Sequence, residues 1–209
     1  MRHRGIRPAP ALAFLLSFFL TAAANLPALE GPLPMGATTE EGGIADEEAG
    51  DAGDARKLTA EDIPARIAKA KVGEWVRYRT ADGSRSRLTV VEKWEGLDGP
   101  YLVVRNEVWK SKKKRPKVSE ERVDVKQAVK DLRDIGPDDV LTEAEILVNG
   151  ERCKTVIVNY VEDGTVVRQS YISDEIPVYG LLRGVTITPK ETTTVLSVMD
   201  YGFVDAEDW

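Results

Sequence analysis

The chain reads as a mainly β protein, a single curved antiparallel sheet or open half-barrel of about 7–10 strands with one or two short helices over its open face. Two observations predict this. Four Asp/Asn-Gly dipeptides (Asp82-Gly83, Asp98-Gly99, Asn149-Gly150 and Asp163-Gly164) separate runs rich in Val, Ile, Thr and Tyr, which is the punctuation of an antiparallel meander. Helical periodicity is confined to two short stretches, near residues 59–71 and 123–135.

The elements follow in order. Thr59 with Asp62 three residues later, and Pro64 in the first turn, predicts a short helix through Lys71 whose inward face is Ile63, Ile67 and Ala70. Strands are expected over 74–80 and 85–94, joined at Asp82-Gly83 by a type I′ turn, and over 101–110 after the Asp98-Gly99-Pro100 turn. Val125, Ala128, Val129 and Leu132 mark a second helix within 123–135, stopped by Gly136-Pro137. Further strands are expected over 143–148, 151–161, 165–173, 181–188 and 193–199. A two-residue loop at Asn149-Gly150 sets Val148 opposite Glu151, Leu147 opposite Arg152, Ile146 opposite Cys153 and Glu145 opposite Lys154. That register makes Cys153 a small buried hydrophobe sharing a face with Ala144, Ile146, Val148 and Ile157, and makes Glu145–Lys154 an ordinary cross-strand ion pair.

Residues 1–24 have the order of a cleavable signal peptide: Arg2, Arg4 and Arg7, an apolar run through Leu20, then Ala22, Ala23 and Ala24. The apolar run is shorter than the ~20 residues a spanning helix needs, so the expected product is exported, periplasmic or extracellular, and not membrane-spanning. Residues 25–56 carry eight acids (Glu30, Glu40, Glu41, Asp46, Glu47, Glu48, Asp51, Asp54) and few large apolar groups, and read as an acidic disordered linker. Residues 57–209 are then the β-rich domain. Its bases and acids nearly balance, so no nucleic acid is expected as a partner.

Composition excludes several chemistries. His3 is the only histidine and leaves with the signal peptide, which removes Ser-His-Asp and Cys-His catalysis and His-ligated metal from the expected product. Cys153 stands alone, so no intrachain disulfide and no Cys-only metal centre can form. No phosphate loop, EF-hand or cofactor motif occurs, and no cofactor is expected. Carboxylate chemistry remains open, with Glu74, Glu92, Glu107, Glu145 and Glu162 as strand-borne candidates. The Trp and Tyr residues read as core and cross-strand pairs rather than a ligand platform.

The loudest local feature is the run Trp109, Lys110, Ser111, Lys112, Lys113, Lys114, Arg115, Pro116, Lys117. Six bases behind a tryptophan form a candidate anion-binding loop. The competing readings are a solvated hairpin loop and a dock for the acidic linker.

The segment from Tyr171 to Arg183 reads as a kinked strand-to-strand connection, with Ser173-Asp174-Glu175, an edge-type Pro177 and Gly180 opening the next strand. It resembles a connection in which Trp, Ser, Pro and Gly-Leu-Val-Lys follow one another in exported bacterial β-proteins of unknown function. Tyr171 takes the aromatic position and Arg183 the basic one. Those proteins are in turn similar to half-barrel lipoprotein carriers of the LolA/LolB type. The resemblance implies a half-barrel with an apolar cavity and matches no individual carrier residue. The expected function is a non-enzymatic, exported binding or carrier-like module for an apolar or amphipathic ligand such as a lipid, with the basic loop near its head group. The alternatives are an envelope structural or interaction protein without a small-molecule ligand, and a carboxylate-based hydrolase.

Overall fold

The computed structural model describes residues 57–110 and 115–204, so the readings of residues 1–56, of 111–114 and of Trp209 lie outside the described residues. Nine strands form one antiparallel sheet: β1 (Glu74–Thr80), β2 (Arg85–Gly96), β3 (Gly99–Trp109), β4 (Lys117–Asp124), β5 (Val140–Val148), β6 (Glu151–Glu162), β7 (Thr165–Ile172), β8 (Leu181–Ile187) and β9 (Thr192–Phe203). They lie in the order β4-β3-β2-β1-β9-β8-β7-β6-β5. The first and last strands are therefore neighbours in the middle, β4 and β5 are free edges, and the sheet is not closed. Helix α1 (Val125–Arg133) carries the chain from one edge to the other.

The expected open antiparallel sheet stands, with three local corrections. Strand β4 lies where no strand is expected, between the basic run that ends at Lys117 and the helix expected from 123. Its sequence carries only Val118 and Val123 as apolar residues because an edge strand leaves most side chains in water, where no alternation is enforced. The loop between β1 and β2 is not type I′. Only Gly83 of the pair has positive φ (76°), and Thr80 pairs with Ser84 around three residues, an arrangement in which Gly83 closes a type I turn as a bulge. Asp82 decides this: its carboxylate accepts from the Thr80 hydroxyl at 2.5 Å and from the Ser84 N–H at 2.9 Å, holding the aspartate at negative φ. Asn149-Gly150 and Asp163-Gly164, by contrast, have positive φ at both residues, and the β5–β6 register is the predicted one pair by pair. The third correction is the first helix, which resolves into two 3-10 turns, Ala60–Asp62 and Arg66–Lys69. Asp62 accepts from the Thr59 N–H at 2.8 Å, and Ile63, Ile67 and Ala70 are buried as expected.

One face of the sheet holds the core. Val76 and Tyr78 of β1, Val90 of β2, Leu102 and Val104 of β3, and Leu182 and Leu196 of β8 and β9 belong to a single cluster. It is filled by segments from outside the sheet: Ile67 and Ala70 from the 3-10 turn, Val125 and Ala128 from α1, and Ile176 and Val178 from the loop between β7 and β8. A second cluster packs Ile63 and, at its margin, Leu132 and Ile135 on Val156, Val158 and Ile172. The β7–β8 connection, residues 173–180, is thus more than a kink. Ser173 donates its N–H to the Gly180 carbonyl at 2.8 Å. Within that closed loop Val178 is fully buried at φ 66°, a conformation β-branched residues rarely adopt. Gly180 has φ 76°, and a Cβ there would lie 2.8 Å from the Ser173 carbonyl oxygen.

The turn segment is clamped to the sheet by an ion pair at 2.7 Å between Arg66 and Glu74, with side chains only 13% and 10% exposed. Removing one partner strands the other charge in a buried site. Arg66→Met is expected to lower unfolding free energy by about 3–5 kcal/mol. The double variant Arg66→Met/Glu74→Leu is expected to recover most of that loss in urea denaturation.

Candidate cationic site on the outer sheet face

Alternation along β1 and β2 sends one set of side chains to the core and the other to the opposite face. The outward set on β1 is Trp75, Arg77 and Arg79, and on β2 it includes Arg85 and Arg87. Register opposes them directly, Arg77 against Arg87 and Arg79 against Arg85. Like charges facing each other across an antiparallel pair are destabilising, so a ladder of two such pairs is a costly arrangement. The row continues from Arg85 to Trp109 and from Arg87 to Glu107 on β3, and from Arg77 to Asp200 on β9.

The neutralisation is uneven. Arg77 pairs with Asp200 at 3.2 Å, and Arg105 with Glu120 at 2.9 Å. Arg87 lies over the Trp75 ring, 4.7 Å from its centroid, and its Nε is buried without a hydrogen-bond partner. Arg79 and Arg85 form no ion pair among the described residues. Arg77, Arg85, Arg87 and Trp109 line a groove of about 220 Å³. Three guanidinium groups around an open groove, with an indole as one wall, offer forked donors to an anion and a flat apolar surface to whatever carries it.

The predicted anion-binding loop is divided by the structure. Trp109 enters the groove from the end of β3. Lys110 stands near Asp82, whose carboxyl is held below the usual range chiefly by the Thr80 hydrogen bond, with Ser84 and the Lys110 charge adding to it. Arg115 is exposed ahead of β4, and Lys117 lies on the other face, paired with Val108. Lys112, Lys113 and Lys114 are outside the described residues. The arginines that complete the groove carried a sequence signal of their own, Arg-x-Arg repeated on both sides of an Asp-Gly turn.

Other candidate chemistry is dispersed. Among the described residues no group of three or more Asp, Glu, Cys or His is arranged to hold a metal ion. No two of Glu74, Glu92, Glu107, Glu145 and Glu162 are cross-strand partners. Glu145 contacts Arg152 at 3.3 Å rather than the Lys154 opposite it, because the longer guanidinium reaches diagonally. Trp94 and Tyr101 are the expected kind of cross-strand aromatic pair, stacked at 4.9 Å with Arg122 over both rings. Cys153 is 1% exposed. Burial, with the Glu175 and Glu151 charges, pushes its thiol up against a smaller opposing hydrogen bond from Tyr201.

One comparison falls on the fold. The chain is similar to a crystal structure from Bacteroides fragilis, of a protein inferred to be exported and of YmcC-like fold, at 13% identity and a TM-score of 0.39. The similarity covers 64% of this chain and 97% of that one. No family model and no curated protein matches the chain.

Two outcomes follow from this geometry. Arg79→Glu turns a like-charge pair into an opposite one and is expected to raise stability by about 0.5 kcal/mol in urea melts. Cys153 is expected to resist a thiol-reactive disulfide reagent in the native chain and to react fully once urea opens the fold.

Proposed function

We propose that this is a non-enzymatic, exported binding module, and that it engages anionic phospholipid head groups through the outer arginine–tryptophan face. Export rests on the signal-like residues 1–24. The observation that carries the binding reading is the opposed pair Arg79 and Arg85, which form no ion pair among the described residues beside a groove walled by Trp109. An indole beside guanidinium groups suits the membrane–water interface, where a side chain with an apolar body and a polar edge finds both surroundings. Arginines held on a sheet also lose little further freedom when a phosphate arrives, so the charge is pre-organised.

The carrier form of this reading adds an apolar chain lodged against the inner face, as the resemblance of the Tyr171–Arg183 segment implies. The inner face of the described residues is lined by the 3-10 turns, α1 and the 173–180 loop, and any such chain would lie beside them.

The test is co-sedimentation of the full chain with vesicles of phosphatidylcholine containing phosphatidylglycerol, against vesicles of phosphatidylcholine alone. Binding to the acidic vesicles is expected at low salt and is expected to fall steeply at about 0.5 M salt by screening. Each basic residue near such a surface contributes about 1 kcal/mol, so Arg79→Gln/Arg85→Gln is expected to weaken binding roughly 30-fold. Equal binding by the variant overturns this assignment. Binding to a soluble acidic polysaccharide but to neither vesicle moves the function to that class of polymer.

A further inference from the structure

The inner face near the β4 edge carries polar groups that have no partners among the described residues. Register puts Leu88, Asn106 and Ser119 in one row across β2, β3 and β4, and Val90, Val104 and Glu121 in the adjoining row. Leu88 and Val104 pack in or against the main core, so this is the face turned toward the 173–180 loop. Asn106 is 5% exposed, and its Oδ1 is shut off from solvent with no hydrogen-bond partner. A buried oxygen left unbonded is costly, and native interiors leave few such groups unexplained.

Glu121 stands diagonally from Asn106 on the edge strand. It forms no ion pair among the described residues, and burial raises its carboxyl above the usual range. Lys117, four residues before it on the same face, is exposed and makes no ion pair with it. The third group comes from the loop. Tyr179 follows the strained Val178, packs against the main cluster, and lies close enough to Glu121 for that charge to add to the effect of burial on its phenol. Three oxygens, an amide carbonyl, a carboxylate and a phenol, thus come from β3, β4 and the loop with no cation among them.

We propose that Asn106, Glu121 and Tyr179 form a binding site for the ammonium group of an amphipathic amine, whose alkyl chain lies along Leu88 and the Tyr179 ring. An alkylammonium ion has three N–H donors and no acceptor, the complement of three acceptor oxygens, and its charge supplies what the half-buried Glu121 lacks. Access is along the open edge of the sheet, where Ser119 is exposed while Asn106 in the same row is buried. This site is on the face opposite the arginine groove and does not rest on it.

The test is calorimetric titration of the full chain with octylamine, octanol and octanoate, kept below aggregation. Octylamine is expected to bind saturably, and octanol and octanoate at least tenfold more weakly. Glu121→Gln is expected to reduce octylamine affinity at least tenfold, whereas Glu120→Gln, on the outer face of the same strand, leaves it unchanged. The Arg79→Gln/Arg85→Gln variant is expected to bind octylamine as the parent does, which separates this site from the vesicle-binding face. No saturable octylamine binding, equal affinity for octanol, or undiminished binding by a folded Glu121→Gln overturns the proposal. The ligand series on the parent chain decides it even if the variant fails to fold.

Discussion

Pairing of β1 with β9 holds the molecule together. The order β4-β3-β2-β1-β9-β8-β7-β6-β5 is two meanders whose strands pair only there. Without that seam each meander would have two bare edges and α1 would join them as a tether. The seam brings Glu74 beside Phe203, so it closes a loop that runs through nearly the whole described chain. Closure entropy rises only slowly with length, so the cost falls more on folding rate than on stability. Glycines fit the strands together at this point. Gly202 leaves room for Trp75, whose ring a Cβ would approach to 3.0 Å. Gly73 has φ 93°, and its carbonyl accepts from the Val204 N–H at 2.9 Å just past the end of β9.

Both faces of the seam are then committed. On the core side Tyr78 donates its hydroxyl to the Leu181 carbonyl at 2.9 Å, a bond from β1 to the end of the 173–180 loop. On the outer side Arg77 reaches Asp200 across the seam, and that carboxylate relieves one member of the arginine ladder. The relief stops at the seam. The arginines nearer the β1–β2 turn have no acid of β9 beside them, since Arg79 faces Ser197. The opposed pair Arg79 and Arg85 therefore lies where the register of β9 runs out of aspartate.

Much of this was legible in the chain, for identifiable reasons. Turns written as Asn-Gly or Asp-Gly announce themselves, and the Asn149-Gly150 hairpin set its own register, because a two-residue loop leaves no slack. The three inward residues of the 59–71 segment were legible although its helix type was not, since burial follows spacing even where the turns tighten. Strand β4 was not legible, because at a free edge nothing forces apolar residues to alternate. Neither was the extension of β9 to Phe203: Asp200, Tyr201 and Gly202 lack a strand-like pattern and are held extended by β1. Of the cationic site, the lysine run drew attention through composition alone, while the four arginines of β1 and β2 were split between strands and converge only through register.

Two buried asparagines bring out what distinguishes the inner polar group. Asn159 is 9% exposed and fully engaged: its Nδ2 donates to the Val140 carbonyl at 3.0 Å, and its Oδ1 accepts from Gln169 at 2.7 Å. Gln169 in turn accepts from the Tyr171 hydroxyl at 3.1 Å, so the amides form a relay across β5, β6 and β7. Asn106 is at least as buried, lies on an equally regular strand, and has its Oδ1 bare. The sheet can satisfy a buried amide, as the β5–β7 half demonstrates, so burial by itself does not account for the difference. Sequences that specify one fold break local rules chiefly where a function asks for it. Among the described residues the β1–β4 half carries opposed arginines on its outer face, and an unbonded amide and an unpaired carboxylate on its inner face. The β5–β9 half bonds its buried amide and sets Arg168 and Arg183 over tyrosine rings, the Nε of each buried without a hydrogen-bond partner as that of Arg87 is over Trp75. The contrast between the two halves is thus carried by their buried amides, bonded in one and bare in the other.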